Sequence, residues 1–403
     1  MRKIRKNWIV MRIVQINAVY QYSSTGRTTM EMHNTLKENG NDSWVFCTNF
    51  LDKEQNVFMI GNKFDHKIHA FMSRFTGLQG YFSKNATKRL IEQLETIKPD
   101  VVHLRNLHSN YINLPLLLRH LEKQDIATVI TLHDCWFFTG HCCHYTEDKC
   151  KKWLTGCGNC PALHKYNNSW FFDQTKKIYR DKQRLFGAIP RLAVIGNSEW
   201  TTEQARQSLL KNAKVIARIY NWINLDVFYP RANEANKRFT ILGVAQSWSD
   251  KKGLPIFIRL AEHFSDCKVV LVGKVEDTVK LPDNVSIVGV LSSAEELAEY
   301  YSNADVFINT SIQETFGKVS AEALACGTPI VVNNATANPE LVGEDCGYVV
   351  DNNNIESYYA AINEIRRLGK ANYSDKCVQF ARGDFDMRKN INKYIELYKS
   401  LLW

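Results

Sequence analysis

The sequence predicts an α/β protein built from two Rossmann-like domains, on three observations. Apolar runs of strand length alternate with amphipathic helical stretches almost throughout, the alternation restarts once, and a polar, proline-containing stretch separates the two series. In the first series MRIVQINAVY (11–20), SWVFCTN, PDVVHLR, ATVITLHD and RLAVIGNS read as buried parallel strands. The first of them is followed by the polar loop QYSSTG and a helix through TTMEMHNTLKENG. The second series is RFTILGVAQS (238–247), KVVLVGK (268–274), VSIVGV (285–290), ADVFINTS (304–311) and TPIVVNN (328–334). Between them NWINLDVFYPRANEANKRF suits a linker. The expected domains are 1–222 and 223–385, with an amphipathic helix over 386–403 packing back on the first. Ligands of open α/β sheets bind beyond the carboxyl ends of the strands, so both domains are expected to aim their loops into one central cleft.

Composition agrees with this division. A chain of 403 residues, 45% hydrophobic and 23% charged, is too long for one ordinary core and typical of globular proteins. Its 51 basic and 42 acidic residues give +9, which favours anionic company: a phosphorylated ligand, an acidic membrane face or nucleic acid. Nucleic acid rests on charge alone and is set aside. No apolar run reaches the roughly 18 residues needed to span a bilayer. The opening MRKIRKNWIVMRIVQINAVY lacks a small-residue cleavage site and runs into a strand, which argues against a signal peptide and leaves either Met1 or Met11 as the start. The expected location is the cytoplasm, where the 11 cysteines stay reduced. QYSSTG lacks G-x-G-x-x-G, which argues against a nicotinamide dehydrogenase.

The most informative stretch is QETFGKVSAEALACGTPIVVNN (313–334). Here a strand leads into a loop carrying Glu314, a helix begins at or just after Gly317, and Glu322 lies in its second turn. A helix start offers unpaired N–H groups and partial positive charge to a phosphate, and a glycine lets the anion approach the backbone. A sugar nucleotide has hydroxyls on both sides of its diphosphate, so one carboxylate can hold the sugar and the other the ribose. The competing reading makes both acids solvated helix-end residues.

Other candidates lie in the first domain. His133 ends ATVITLHD at a strand's carboxyl end, and Asp134 either orients it or caps a following turn. His103 ends the preceding strand and His108 follows in its loop; both are acceptor-side candidates. Gly26 gives the first loop room to approach a phosphate or an acceptor, or is an ordinary turn glycine. The loop 135–167 holds six cysteines in CWFFTGHCCHYTEDKCKKWLTGCGNCP. Cys142 (or Cys143), Cys150, Cys157 and Cys160, with His141 or His144 as substitutes, could close a structural zinc site; the alternative is plain buried thiols. Cys47, Cys267, Cys326, Cys346 and Cys377 read as small core residues. Asp384 and Asp386 form a D-x-D read as a helix-start cap cluster rather than a metal site. HKIHAFMSRFTGLQGYFSKNATKRL (66–90) mixes aromatics with basic side chains, suiting either an anionic bilayer surface or a solvated helix over a core.

Glu314 and Glu322 in ETFGKVSAEALACGTPIVV resemble the E-x7-E signature of retaining glycosyltransferases of the GT-B fold, family four in particular, and Phe316, Gly317, Ala323 and the Ala-Cys-Gly-Thr-Pro run match as well. VQINAVYQYSSTGRTT resembles the first strand and glycine loop of those enzymes, VIARIYNWINLDVFYP their interdomain entry, and VAQSWSDKKGLP their phosphate-binding segment. PDVVHLRNLHSNYINLP and TLHDCWFFTGHC resemble a subgroup that builds bacterial capsule, exopolysaccharide or O-antigen chains, colanic acid among them. The resemblance implies that Glu322 binds the donor ribose, Glu314 and His133 contact the donor sugar, and backbone N–H groups around Gly317, Lys318 and Val319 hold the distal phosphate. It also implies that Lys252, otherwise a surface lysine, neutralises the leaving diphosphate. The family's arginine six residues earlier is Gln246 here, which leaves that charge to Lys252 alone or with Lys251 or Arg27. The implied reaction uses no catalytic metal and no strong side-chain base, because the departing phosphate helps deprotonate the incoming hydroxyl on the same face. The implied partners are a nucleoside-diphosphate sugar and a saccharide or lipid-linked saccharide, with peripheral contact at the inner face of the plasma membrane. An inactive nucleotide-sugar-binding scaffold and a GT-B sugar-nucleotide epimerase are the alternatives.

Overall fold

The structure, a computed structural model, describes residues 10–231, 238–276, 278–352 and 354–402. The start at Met1 and residues 232–237 of the expected linker lie outside the described residues. The chain divides into two compact units, the first ending at Ile219 and resuming at Ile391, the second spanning Tyr220–Asn390.

In the first unit, β1 (Arg12–Ile16), α1 (Ser23–Glu38), β2 (Asp42–Cys47), β3 (Val57–Met59), α2 (Lys63–Thr76), α3 (Lys84–Ile97), β4 (Val101–Leu104), α4 (Leu114–Lys123) and β5 (Ala127–Leu132) follow one another. After the cysteine loop come α5 (Thr175–Gly187), β6 (Leu192–Gly196), α6 (Glu199–Gln207) and β7 (Val215–Arg218). The seven strands form one parallel sheet in the order β3-β2-β1-β4-β5-β6-β7. The central strands are apolar on both faces because helices cover both: β4, β5 and β6 are buried at every position.

The second unit repeats the plan with β8 (Thr240–Ser247), α7 (Leu254–His263), β9 (Lys268–Lys274), β10 (Val285–Val288), α8 (Ala294–Asn303), β11 (Val306–Asn309), α9 (Lys318–Ala325), β12 (Ile330–Asn333), β13 (Gly347–Val350), α10 (Ile355–Leu368) and α11 (Ala371–Asp384). Its six parallel strands run β10-β9-β8-β11-β12-β13. Counted within each unit, the first sheet runs 3-2-1-4-5-6-7 and the second 3-2-1-4-5-6, so the chain changes direction across each sheet once, between β1 and β4 and between β8 and β11. Every strand expected from the sequence is present. The three that were missed, β3, β7 and β13, are edge strands of three or four residues with partly exposed patterns.

The last helix, α12 (Met387–Leu402), starts in the second unit and contributes its residues from Ile391 onward to the first. There Tyr394 and Tyr398 are buried against β4 and β5. Tyr398 Oη lies 2.8 Å from His103 Nδ1, Thr131 Oγ1 lies 2.8 Å from His103 Nε2, and Tyr394 Oη shares a 2.7 Å bond with Thr131 Oγ1. This corrects the expectation for His103. It sits inside β4, is wholly buried, and has both ring nitrogens bonded to neighbours, so it offers no atom to an acceptor. Burial, reinforced by nearby Arg105 and His133, drives its pKa well below the usual histidine value. Burial also lowers His33 to about 4 and His69 to about 3.

These three histidines fold neutral, whereas in the unfolded chain they take up protons near pH 6.5. Their pKa values are depressed on folding, so they cost no stability above pH 6.5 and progressively more as pH falls toward 4. Thermal melting followed between pH 7.5 and 5 should show a falling Tm, and His103→Gln should flatten that slope while lowering the melt at pH 7.5.

Candidate functional site

In the second unit the loops after β8 and β11 leave the sheet side by side at the point where the strand order reverses. They are tied together: Thr310 Oγ1 donates to the Lys252 carbonyl at 2.7 Å. The approach is close enough to require glycine at 253, where φ is +75° and a Cβ would fall 2.2 Å from Thr310 Oγ1. Buried amides hold the β11 loop from behind. Asn333 Nδ2 donates to the Thr310 carbonyl (2.7 Å), Asn338 Nδ2 to the Ser311 carbonyl (2.7 Å), and Asn309 links the Ser311 N–H (3.0 Å) to Ser320 Oγ on α9 (3.1 Å). Sequence reasoning missed all of these, because an asparagine near a loop reads as a turn former and the partners here lie as far as 27 residues away.

On this frame the loop runs into α9. Glu314, half-buried, donates its N–H to Thr336 Oγ1 (2.9 Å) and accepts the Ala337 N–H at its carbonyl (3.2 Å), so its backbone is fixed while its carboxylate lies ahead of the helix. Phe316 is buried in a three-ring cluster with Tyr220 and Phe385. Gly317 caps the helix with φ +92°, and a Cβ there would stand 2.8 Å from Leu341 Cδ1. No side chain caps α9, no acid lies in its first turn, and the N–H groups of Ser320 and Ala321 turn back to the Gly317 carbonyl. The N–H groups of Lys318 and Val319 thus head a helix whose start has no side-chain cap among the described residues and carries partial positive charge.

Glu322 is 5% exposed, which removes the reading of a solvated helix-end acid for that residue. Tyr301, on α8, donates its hydroxyl to Glu322 Oε2 at 3.2 Å. Burial first and the Glu322 charge second push that hydroxyl well above the usual tyrosine pKa, so it remains a donor. Lys252, in the short turn Asp250–Lys252, and Gln246, near the end of β8, are both exposed. The structure therefore gathers Gln246, Lys252, Glu314, Phe316, Gly317, Lys318, Val319 and Glu322 in one unit, around one strand-order reversal.

The candidates of the first unit lie after its own strands. Gly26 falls in the first turn of α1 rather than in the loop before it, with its Cα face against Val19. His133, half-buried, directly follows β5. Asp134 is bonded to His108 Nε2 (2.8 Å) and to the Trp136 N–H (2.8 Å), so it orients His108 and also caps the turn at 136–138. Burial opposes ionisation of Asp134, but the facing His108, the Trp136 N–H and His144 outweigh it and hold the carboxyl below its ordinary range. Arg105, directly after β4, is buried and donates to Gln15 Oε1 (3.2 Å) and Thr28 Oγ1 (2.8 Å), fixing α1 to the sheet, a role that sequence reasoning missed.

Comparison with known proteins gives two family models that meet end to end. "Glycosyltransferase Family 4" matches residues 25–227 and "Glycosyl transferases group 1" matches 228–384. The chain belongs to glycosyltransferase family 4. WcaC of Escherichia coli K12, a glycosyl transferase named for colanic acid biosynthesis, is 21% identical over 76% of this chain and 78% of its own length. Sucrose-phosphate synthase from Thermosynechococcus elongatus covers 97% of this chain and 99% of its own at 16% identity and a TM-score of 0.70. Anabaena HepE in complex with UDP and glucose covers 97% and 100% at 15% identity and a TM-score of 0.64. These likenesses show the GT-B fold of two Rossmann-like domains.

The cysteine loop lies inside the matched family 4 segment. Cys142 and Cys160 are hydrogen-bonded to each other, which holds the Cys160 thiol below and the Cys142 thiol above the ordinary range. Cys157 accepts the Gly140 N–H at 3.2 Å. Among the described residues the one group of three or more ligand-type atoms within 4.8 Å of one another is His108, Asp134 and Cys143; Cys142, Cys150, Cys157 and Cys160 do not form such a group. Beneath the loop Lys182 is buried, lies 3.5 Å from the centre of the Trp136 ring, and donates to the carbonyls of Trp136 and Thr139; burial lowers its pKa to about 7.

Gly317→Ala should cost about 1–3 kcal/mol of stability in thermal or urea unfolding, from a side chain forced to positive φ and into Leu341. Thr310→Val, which removes the bond to Lys252, should cost about 1 kcal/mol in the same assay.

Proposed function

We propose that this glycosyltransferase moves a sugar from a nucleoside-diphosphate sugar, with retention of anomeric configuration, to a saccharide acceptor carried on a lipid in bacterial surface polysaccharide synthesis. The observation that carries the donor assignment is the glycine-capped start of α9 with one acid ahead of it and one buried behind. In this reading the N–H groups of Gly317, Lys318 and Val319 take the distal phosphate, Glu322 holds the ribose hydroxyls and Glu314 the sugar. Tyr301 restrains Glu322 through its hydrogen bond to Oε2. Lys252 supplies positive charge as the diphosphate leaves, an interaction that strengthens in the transition state. The leaving phosphate oxygen then accepts the proton of the incoming hydroxyl, and the chain supplies orientation rather than a base. The association of WcaC with colanic acid biosynthesis, and the UDP and glucose bound by HepE, support the donor class and the polymer setting.

One observation favours a second reading, a nucleotide-sugar-binding scaffold without turnover: Gln246, uncharged, stands where the family carries a cation. Incubation with a panel of nucleotide sugars and lipid-linked acceptors separates the two. Release of nucleoside diphosphate with an α-linked product from an α-linked donor supports the transferase, and donor binding with no release supports the scaffold. Glu314→Ala should lower kcat by about 100-fold or more with the melting temperature unchanged. Glu322→Ala should raise the donor Kd by about tenfold or more in calorimetry, the loss of charge-assisted bonds worth about 1.5–3 kcal/mol.

A further inference from the structure

Helix α2 is inside out. Its inward side consists of His69 and Ser73, which are buried, whereas Phe64, Ile68, Phe71 and Phe75, spaced i, i+4, i+7 and i+11 along one stripe, point to solvent. Phe64 is 71% exposed and Phe71 53%. The polar inward side is accommodated by a 2.8 Å hydrogen bond between His69 Nδ1 and Ser83 Oγ and by the edge of Phe82. The sequence segment 66–90 is thus two helices, α2 and α3, with the turn 77–83 between them.

The stripe continues across a second segment. Trp170, Phe171 and Phe172 are all exposed, Phe171 at 65%, and pack edge-on to the helix: Phe71 with Trp170 at 5.9 Å, Phe75 with Phe171 at 5.5 Å and with Phe172 at 6.5 Å. The backbone holds them there. The Trp170 N–H donates to the Arg74 carbonyl at 2.7 Å, Ser169 Oγ donates to the Phe172 carbonyl at 2.8 Å, and Gly77 lets that carbonyl lie where a Cβ would be 2.1 Å away. An exposed aromatic patch fixed in this way is a surface built for contact.

The charges around it select the partner. Lys63, Lys67 and Arg74 on α2, and Lys176, Lys177 and Arg180 at the start of α5, are exposed. Of the acids on these segments, Asp65 accepts the Asn62 N–H in the capping box of α2, the exposed Asp173 accepts from the Cys160 and Thr175 N–H groups, and Asp181 pairs with Lys177 at 2.5 Å, so the unpaired excess near the rings is cationic on α2. Aromatic side chains flanked by long cationic ones match the headgroup layer of an anionic bilayer, the rings entering the acyl boundary and the cations reaching phosphates.

We propose that α2 together with Trp170, Phe171 and Phe172 is the surface by which the protein docks on an anionic phospholipid membrane. The proposal names the place of membrane contact for the lipid-carried acceptor described above, and rests on that reading only for its purpose. Flotation of the full chain with vesicles, without donor or acceptor, tests it independently of glycosyl transfer. The protein should co-float with phosphatidylcholine vesicles containing phosphatidylglycerol, and far less with phosphatidylcholine alone or at high salt. The triple variant Phe71→Ser/Trp170→Ser/Phe171→Ser should weaken that association by at least about tenfold with an unchanged melt and unchanged donor binding. Lys63→Glu/Lys67→Glu should remove the preference for phosphatidylglycerol. Absence of flotation, or flotation indifferent to these variants, overturns the proposal. So does sedimentation showing a dimer that the aromatic variants dissociate and vesicles do not disturb, since the patch then binds a second copy. Failure of transfer to every lipid-linked acceptor with flotation intact would leave the surface standing and remove the acceptor reading instead.

Discussion

A parallel sheet sends the carboxyl end of every strand to the same edge, and only where the strand order reverses do two adjacent loops diverge to opposite faces. That constraint operates twice in this chain, between β1 and β4 and between β8 and β11, and the candidate site of the second unit lies at the latter. In the second unit the loops after β8 and β11 carry Lys252 and Glu314, and the Thr310–Lys252 bond fixes their spacing. The start of α9 is placed by the same loop, so a shift in either strand would move lysine, acid and helix terminus together. The three buried asparagines make the arrangement stiff: each amide occupies a carbonyl or N–H that would otherwise need water.

Electrostatically the site is uneven. A helix of eight residues begins on a glycine, with no side-chain cap and no acid in its first turn, while its second turn buries a carboxylate beside a tyrosine. Placing the acid at the cap would have neutralised the partial charge that an anion needs; placing it a turn later keeps both. The cost is a buried carboxylate, which Tyr301 offsets in part by donating to it.

Much of this was legible in the sequence. The nine central strands announced themselves as apolar runs because they are covered on both faces, the edge strand β10 because its sequence alternates apolar residues, and Glu314, Gly317 and Glu322 stood out because loop, turn and helix chemistry are local. Edge strands such as β3 and β13 escaped because one covered face leaves too short a run. Tyr301, Arg105 and the asparagine ladder escaped because their roles exist only through residues distant along the chain. His103 misled for the same reason: at the end of an apolar run it resembled a residue facing a ligand, whereas its partners are the two tyrosines and a threonine gathered by folding. Periodicity proposed a helix near residue 66, but α2 turns its aromatic stripe outward, a choice set by what packs beneath it and not by the stripe itself.

The helix α12 has a consequence for biosynthesis. Its tyrosines complete the interior beside β4 and β5, yet they leave the ribosome only after the whole second unit. Most of the N-terminal half emerges early but must wait, with a seam of its sheet uncovered, until the second half has been translated. Nascent chains stalled before Tyr394 would therefore present that seam to chaperones, and the order of folding in the cell would run against the order of synthesis.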